Sequence, residues 1–311
     1  MSERKLTIAQ AVDGFMLHIQ ARRLAAGTIT AYTSRLEKFV AFIGESIILD
    51  EITALDVERY FASQTCSNAT LHGYHNTLSA LWTWATGFDP PLAGKHILHQ
   101  VTRPKPEKRV IEPFTKTDIK AMLQATRYST DFRRPGQRIT RQRLPDAERN
   151  EAIILTLLDT GLRCSELCDI TIAQADLKRE RIKVLGKGAK ERTVRIDSRT
   201  ATAIWKYLTT RPNANTGDPL FATDRNTRID RHNLYDMLHQ VGERAGVPNV
   251  HPHRFRHTFS IQFLRNGGNI YALKMLLGHE TLDMVQRYLK LAQIDLDENH
   301  RQASPVANWN I

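Results

Sequence analysis

From Arg103 to Arg109 the chain reads Arg-Pro-Lys-Pro-Glu-Lys-Arg, and this run limits what the chain can fold into more than any other. Each proline fixes its own φ and lacks an N–H, so neither a helix nor a central strand passes through it. Prolines this closely spaced keep the backbone extended and stiff. We read residues 99–113 as a linker joining two domains, 1–98 and 114–311, and 311 residues suffice to give each its own core. A cationic extended strand could also track a phosphate backbone, but a solvated linker is the simpler reading of the run alone.

Before the linker, apolar residues recur at helical spacing. Leu6, Ile8, Val12, Phe15, Met16 and Ile19 outline one helix. A second is expected from about Thr28, with Ile29, Tyr32, Leu36, Phe39, Val40 and Ile43 on one face. Thr53 followed by Asp56 resembles a capping box opening a third helix, with Val57, Tyr60 and Phe61 inward. A fourth runs from about Asn68 to Ala85 and stops at Gly87-Phe88-Asp89-Pro90-Pro91. Four short amphipathic helices make a small bundle.

After the linker, Thr115 and Asp118 form another capping box, ahead of Ile119, Met122 and Leu123. Residues 127–149 are basic and interrupted by proline, with Arg133, Arg134, Arg138, Arg141 and Arg143, and read either as an ordered nucleic-acid contact or as a flexible loop. A helix over about 147–160 ends at Thr160-Gly161. Ile182 and Val184, then Gly186-Lys187-Gly188-Ala189-Lys190, then Val194 and Ile196 read as a β-hairpin. Helices are expected at about 199–210, 230–245, 255–266, 270–277 and 281–290. The fold class is mainly α with a small β-sheet.

The net charge of +11 favours a polyanionic partner such as nucleic acid. Residues 1–98 carry a net charge of −1, so the excess lies wholly in 99–311. No apolar run approaches the roughly 20 residues of a membrane helix, and no signal region follows Met1. Cys66, Cys164 and Cys168 are too few for a disulfide framework, which makes a reducing cytoplasm the expected compartment.

One constellation carries chemistry. When an oxygen nucleophile attacks a phosphodiester, negative charge grows on the non-bridging oxygens, and fixed cations lower the barrier. Arginine suits this because its planar fork binds two phosphate oxygens and stays charged. The leaving oxygen needs a proton donor, and a tyrosine nucleophile would conserve the bond energy in a phosphotyrosine. His253 and Arg256, three apart, share a helix face. Arg163 follows Gly161-Leu162 at a helix start, where Glu166 could fix its guanidinium. Lys187 sits at a glycine-flanked hairpin tip; His279 and Tyr288 lie nine residues apart.

Thr160-Gly161-Leu162-Arg163-Cys164-Ser165-Glu166-Leu167 resembles the first box of the tyrosine recombinases, the phage-integrase family. Gly186-Lys187-Gly188-Ala189-Lys190-Glu191-Arg192 resembles that family's mobile lysine turn. His253-Arg254-Phe255-Arg256-His257-Thr258-Phe259 resembles its His-x-x-Arg box. Leu276-Leu277-Gly278-His279 with Tyr288 resembles its closing box. All four occur in the family's order. The resemblance implies a SAM-like core-binding bundle at 1–98 and an α-rich catalytic domain that together clamp duplex DNA. It implies Arg163 and Arg256 on the scissile phosphate, Lys187 as general acid for the 5′ oxygen and His253 assisting proton transfer. It also implies His279 on a phosphate oxygen and Tyr288 as the nucleophile that becomes linked to a 3′ phosphate.

No metal or other cofactor is then required. The expected partners are double-stranded DNA and further copies of the chain, four in the synapse, with accessory DNA-bending proteins or a recombinase partner as further candidates. Leu289, Leu291, Ile294 and Leu296 read either as a helix docking on a neighbouring protomer or as one packing on its own domain. Two features depart from the family pattern. The amino-terminal bundle is not net basic, so its DNA face would be a local patch such as Arg22, Arg23, Arg35 and Lys38, and the basic stretch at 127–149 is longer than a compact member needs.

Blander readings stand beside these. His251, His253 and His257 could suggest a metal site, but Arg254 and Arg256 among them would repel a divalent cation. His257 reads as structural, and Cys164 and Cys168 as small buried residues. Two other functions remain: a type IB topoisomerase, whose family has lysine at the position of His253, and a DNA-binding protein of the same fold that has lost catalysis.

Overall fold

Thr7, Thr53 and Ser67 each place a side-chain oxygen on the amides that open a helix, which fixes where three of the amino-terminal helices begin. These are α1 (Ile8–Ala21), α3 (Ala54–Ser63) and α4 (Asn68–Thr86); α2 spans Ala26–Ile43. The structure, a computed structural model, describes residues 6–107, 111–130, 141–186, 191–279, 281–282, 285–286, 288–289 and 304–309. The chain divides into two compact units, 1–109 and 110–311.

In the first unit the apolar faces of the four helices meet around Phe15, Leu36, Phe39, Tyr60, Leu78, Leu81 and Trp82. The stretch read as linker is bound to this bundle through Pro104. Leu98 and Val101 are buried in its core, and Nδ1 of His72 donates to the Pro104 carbonyl at 2.9 Å. Arg22, Arg23 and Lys38 are exposed. Arg35 is half-buried, and its Nη1 donates to Gly73 O at 3.4 Å and Thr77 Oγ1 at 3.2 Å of its own bundle.

The second unit opens with α5 (Lys116–Ala125), where the Thr115–Asp118 box is present. At the base of the basic stretch, Ser129 N donates to Gln142 O at 2.8 Å and Leu144 N to Arg127 O at 3.0 Å, a short antiparallel pairing. Arg127 is held by Glu151 and Arg143 by Glu148. Arg133, Arg134 and Arg138 lie outside the described residues.

Then come α6 (Ala147–Thr160), α7 (Cys164–Asp169) and a three-stranded antiparallel sheet in the order β1 (Ala175–Asp176), β2 (Arg181–Leu185) and β3 (Glu191–Arg195). In the register, Ile182 faces Val194 and Val184 faces Arg192. Next are α8 (Ser198–Thr209), α9 (Arg231–Ala245), α10 (Pro252–Arg265) and α11 (Ile270–Leu277). Val285, Gln286, Tyr288 and Leu289 are helical, as is Pro305–Trp309. The chain is mainly α with one small sheet, and α6 lies in its main core through Ala152, Ile153, Ile154 and Leu157. A smaller cluster of Ile261, Leu264, Leu273, Leu277, Val285 and Tyr288 joins α10 and α11 to the segment bearing the tyrosine.

Candidate active site

Gly161 ends α6 with a φ of +61°, in the left-handed region that side chains avoid. A Cβ there would come within 2.5 Å of the Phe259 ring, so α10 could not pack this closely against any other residue. The sharp exit aims the Gly161 carbonyl at α10 and makes Arg163 the residue preceding the first turn of α7.

Arg256 projects from α10 and is 3% exposed. Its Nη1 donates to Gly161 O at 2.8 Å, and its Nη2 to Leu277 O at 2.8 Å and to Nε2 of His279 at 2.6 Å. Arginine has no acceptor, so Nε2 of His279 must accept, which makes that imidazole the neutral tautomer protonated at Nδ1. No carboxylate bonds Arg256 among the described residues. Burial lowers its pKa to about 10, with repulsion from Arg163 next and Glu166 partly offsetting it. It is still charged at neutral pH: a buried cation held by two carbonyls and an imidazole, which an anion would stabilise.

Arg163 is more open, with its side chain 36% exposed. Its Nη1 donates to Glu166 Oε1 at 2.8 Å, its backbone N to Oε2 at 2.9 Å, and its Nη2 to Gly278 O at 3.3 Å. The expectation that Glu166 fixes this guanidinium is met. Burial alone would raise the Glu166 pKa, but hydrogen bonds from Arg192 and the Arg163 amide, with the Arg192 charge, pull it down to about 2.

His253 is exposed in the first turn of α10, one turn before His257. The His253 and His257 rings meet edge-on at 5.0 Å, and the His257 and Tyr288 rings at 5.2 Å. The tyrosine is fully buried. Arg254 turns the other way, bonding Glu112 O at 3.0 Å and lying over the Phe114 ring at 4.1 Å. Lys187, the expected general acid, and Lys190 lie outside the described residues. Among the described residues no group of three or more His, Cys, Asp or Glu could hold a metal ion, and no helix is long and apolar enough to cross a membrane.

Residues 163–288 thus bring two arginines, two histidines and a tyrosine into one region. The sequence profile of the phage integrase family matches residues 113–294, more than half of the chain. The chain belongs to the phage integrase family. Among curated relatives, "Tyrosine recombinase XerC" of Pelobacter propionicus is 29% identical over 315 residues, covering 96% of this chain and 97% of its own. "Tyrosine recombinase XerD" of Bifidobacterium longum is 28% identical, covering 95% and 97%. Among solved structures, a Tn1549 transposon integrase in complex with transposon right end DNA aligns with a TM-score of 0.74 at 17% identity, covering 97% of this chain and 100% of that one. The XerH recombinase bound to palindromic difH substrate gives 0.68 at 19% identity, covering 94% and 82%. At these identities the structural likeness speaks for the fold.

Two residues gain weight from the geometry of this family member. His257, read as structural, has its ring against both His253 and Tyr288. Arg192, quoted only as part of the hairpin box, bonds both oxygens of Glu166. The strand alternation carried a signal for the second, because Arg192 shares the inward face with Val194, where a cation needs a partner.

Proposed function

We infer that the protein is a site-specific DNA recombinase that cleaves and rejoins DNA through a 3′-phosphotyrosine. The observation carrying this reading is Arg256: a buried guanidinium held by two backbone carbonyls and a neutral imidazole, one turn of α10 from His253. Such a site gains from binding a phosphate whose charge rises during reaction. Arg163 supplies the second cation. His279 hydrogen-bonds a phosphate oxygen, and His253 assists proton transfer. The Tyr288 oxygen forms a bond to phosphorus and gives up its proton as the bond to the 5′ oxygen breaks. Lys187 protonates that leaving oxygen. Rejoining is the reverse, with an incoming 5′ hydroxyl displacing the tyrosine, so no outside energy source is needed.

Exchange between two duplexes breaks four strands, and each chain brings one Tyr288, which supports four protomers in the synapse. The first unit adds DNA contact through Arg22, Arg23 and Lys38. Leu289 packs against the Ile261, Leu273 and Tyr288 cluster of its own domain; Leu291, Ile294 and Leu296 lie outside the described residues, and their docking on a neighbouring protomer belongs to this proposal. So does a cytoplasmic site of action.

The test is a suicide DNA substrate whose cleaved 5′ end diffuses away. Wild type is expected to accumulate a covalent protein–DNA adduct and Tyr288→Phe none. No adduct on a cognate site would remove every enzymatic reading, whereas plasmid relaxation without any specific site would point to a topoisomerase. Lys187→Ala is expected to slow cleavage by about 10²–10⁴-fold, the usual contribution of general acid catalysis. Its rate should recover on a substrate with sulfur at the 5′ bridging position, because a thiolate leaves without a proton. Failure to recover would take the general-acid role from Lys187.

A further inference from the structure

Strand β3 alternates, with Glu191, Thr193 and Arg195 outward and Arg192 and Val194 inward. An inward arginine has to be compensated, and Arg192, whose side chain is 14% exposed, is paired with Glu166. Its Nη1 and Nη2 donate to Glu166 Oε1 and Oε2 at 3.0 and 2.9 Å. Its Nε donates to Leu276 O at 2.9 Å, at the end of α11. Gly278 packs against the same guanidinium, so closely that a Cβ there would meet Nη1 at 3.2 Å. Arg192 therefore joins the strand after the lysine turn, the carboxylate that holds Arg163, and the helix end that leads to His279.

A carboxylate offers about four lone-pair sites. Glu166 fills them with the Arg163 amide, one Arg163 nitrogen and two Arg192 nitrogens. Arg163 thus meets Glu166 through a single side-chain nitrogen. An unopposed arginine prefers two parallel bonds to a carboxylate, and here the second place is taken.

We propose that Arg192 is a positioning residue for the cleavage reaction. By occupying Glu166 it stops Arg163, whose Nη2 donates to Gly278 O, from closing into a bidentate pair and keeps its remaining N–H groups turned to the scissile phosphate. Without Arg192, Glu166 rotates onto Arg163 and withdraws it. The proposal rests on the recombinase reading above.

The test compares wild type, Arg192→Ala, Arg192→Lys and Arg163→Ala in single-turnover cleavage of a suicide substrate, together with DNA affinity and thermal melting. Arg192→Ala is expected to cleave about 10²-fold more slowly, the usual cost of misplacing a reacting group by about an ångström. DNA affinity should stay near wild type. Arg192→Lys, which can still occupy one oxygen, should recover part of the rate. A second substrate carries a neutral methylphosphonate at the scissile position, where one fewer charge needs an arginine. There the deficits of Arg192→Ala and Arg163→Ala should shrink together, and the double variant should be no slower than Arg163→Ala alone. A deficit undiminished on methylphosphonate, or one that tracks the unfolded fraction, overturns the proposal and leaves Arg192 a structural residue. Absence of an adduct with wild type on either substrate overturns the recombinase reading itself, and the positioning role with it.

Discussion

Glu166→Ala is expected to destabilise the second unit by about 3–5 kcal/mol, as removal of one partner from a buried ion pair commonly does. The carboxylate is 5% exposed and faces two arginines, one of them nearly as buried. Its removal leaves Arg192 without a counter-charge and Arg163 held only through the Gly278 carbonyl. Cleavage should also fall beyond the loss of folded protein, because Arg163 no longer has a fixed direction. Glu166→Gln keeps the shape but not the charge, and should fall between the two in urea unfolding at neutral pH.

The same carboxylate sets an acid limb. Its pKa in the folded state is about 2, against an ordinary 4.5. A depressed carboxylate contributes stability that is fully present above its unfolded pKa and is lost as pH falls through the folded one. The window is therefore pH 4.5 down to about 2, and the loss across it is about 3 kcal/mol at 1.36 kcal/mol per unit. Unfolding free energies measured through this window should fall more steeply for wild type than for Glu166→Gln. Equal slopes would show that the carboxylate is not held as described.

Arg256→Ala is expected to reduce single-turnover cleavage by about 10³-fold, the upper end of the roughly 10²–10³-fold cost of removing one preorganised donor, because this one is charged. DNA affinity should change far less, because one phosphate contact among many is lost. Arg256→Lys should remain about 10²-fold impaired although the charge survives. The reason is geometric: an ammonium cannot reach the Gly161 and Leu277 carbonyls and Nε2 of His279 while also presenting a fork to phosphate. Wild-type cleavage by Arg256→Lys would show that charge alone is what the site needs.

The parts of this site legible in the sequence are those whose chemistry is local. Gly161 and Arg163 are two apart and Arg163 and Glu166 three apart, so the helix stop, the aimed guanidinium and its carboxylate could be read together. His253 and Arg256 are one helical turn apart for the same reason. The hairpin was legible from its alternation, and the capping boxes at Thr53 and Thr115 from residue type and spacing.

What escaped depends on contacts distant in sequence. Arg192 lies 26 residues from Glu166 and 84 from Leu276, and no periodicity links those positions. His257 is separated from Tyr288 by 31 residues, with α11 between them, so only packing could reveal that the rings touch. Val101 and Pro104 belong to the bundle because of α4 residues met again after the chain turns back, although the proline-rich composition reads as a solvated connection. Arg35 shows the converse case, a basic residue that looks available for DNA but bonds Gly73 and Thr77 in its own bundle.

Tyr288, and no other residue, is the proposed point at which DNA is held through a 3′ phosphate during strand exchange. The most direct measurement is mass spectrometry of the adduct trapped on a suicide substrate, digested with protease and nuclease to leave a nucleotide-bearing peptide. The expected product is a peptide from the Arg287-Tyr288-Leu289-Lys290 stretch with a phosphodiester joining the Tyr288 oxygen to the 3′ end of the cleaved strand. A nucleotide on any other residue, or a linkage through a 5′ phosphate, would contradict the account.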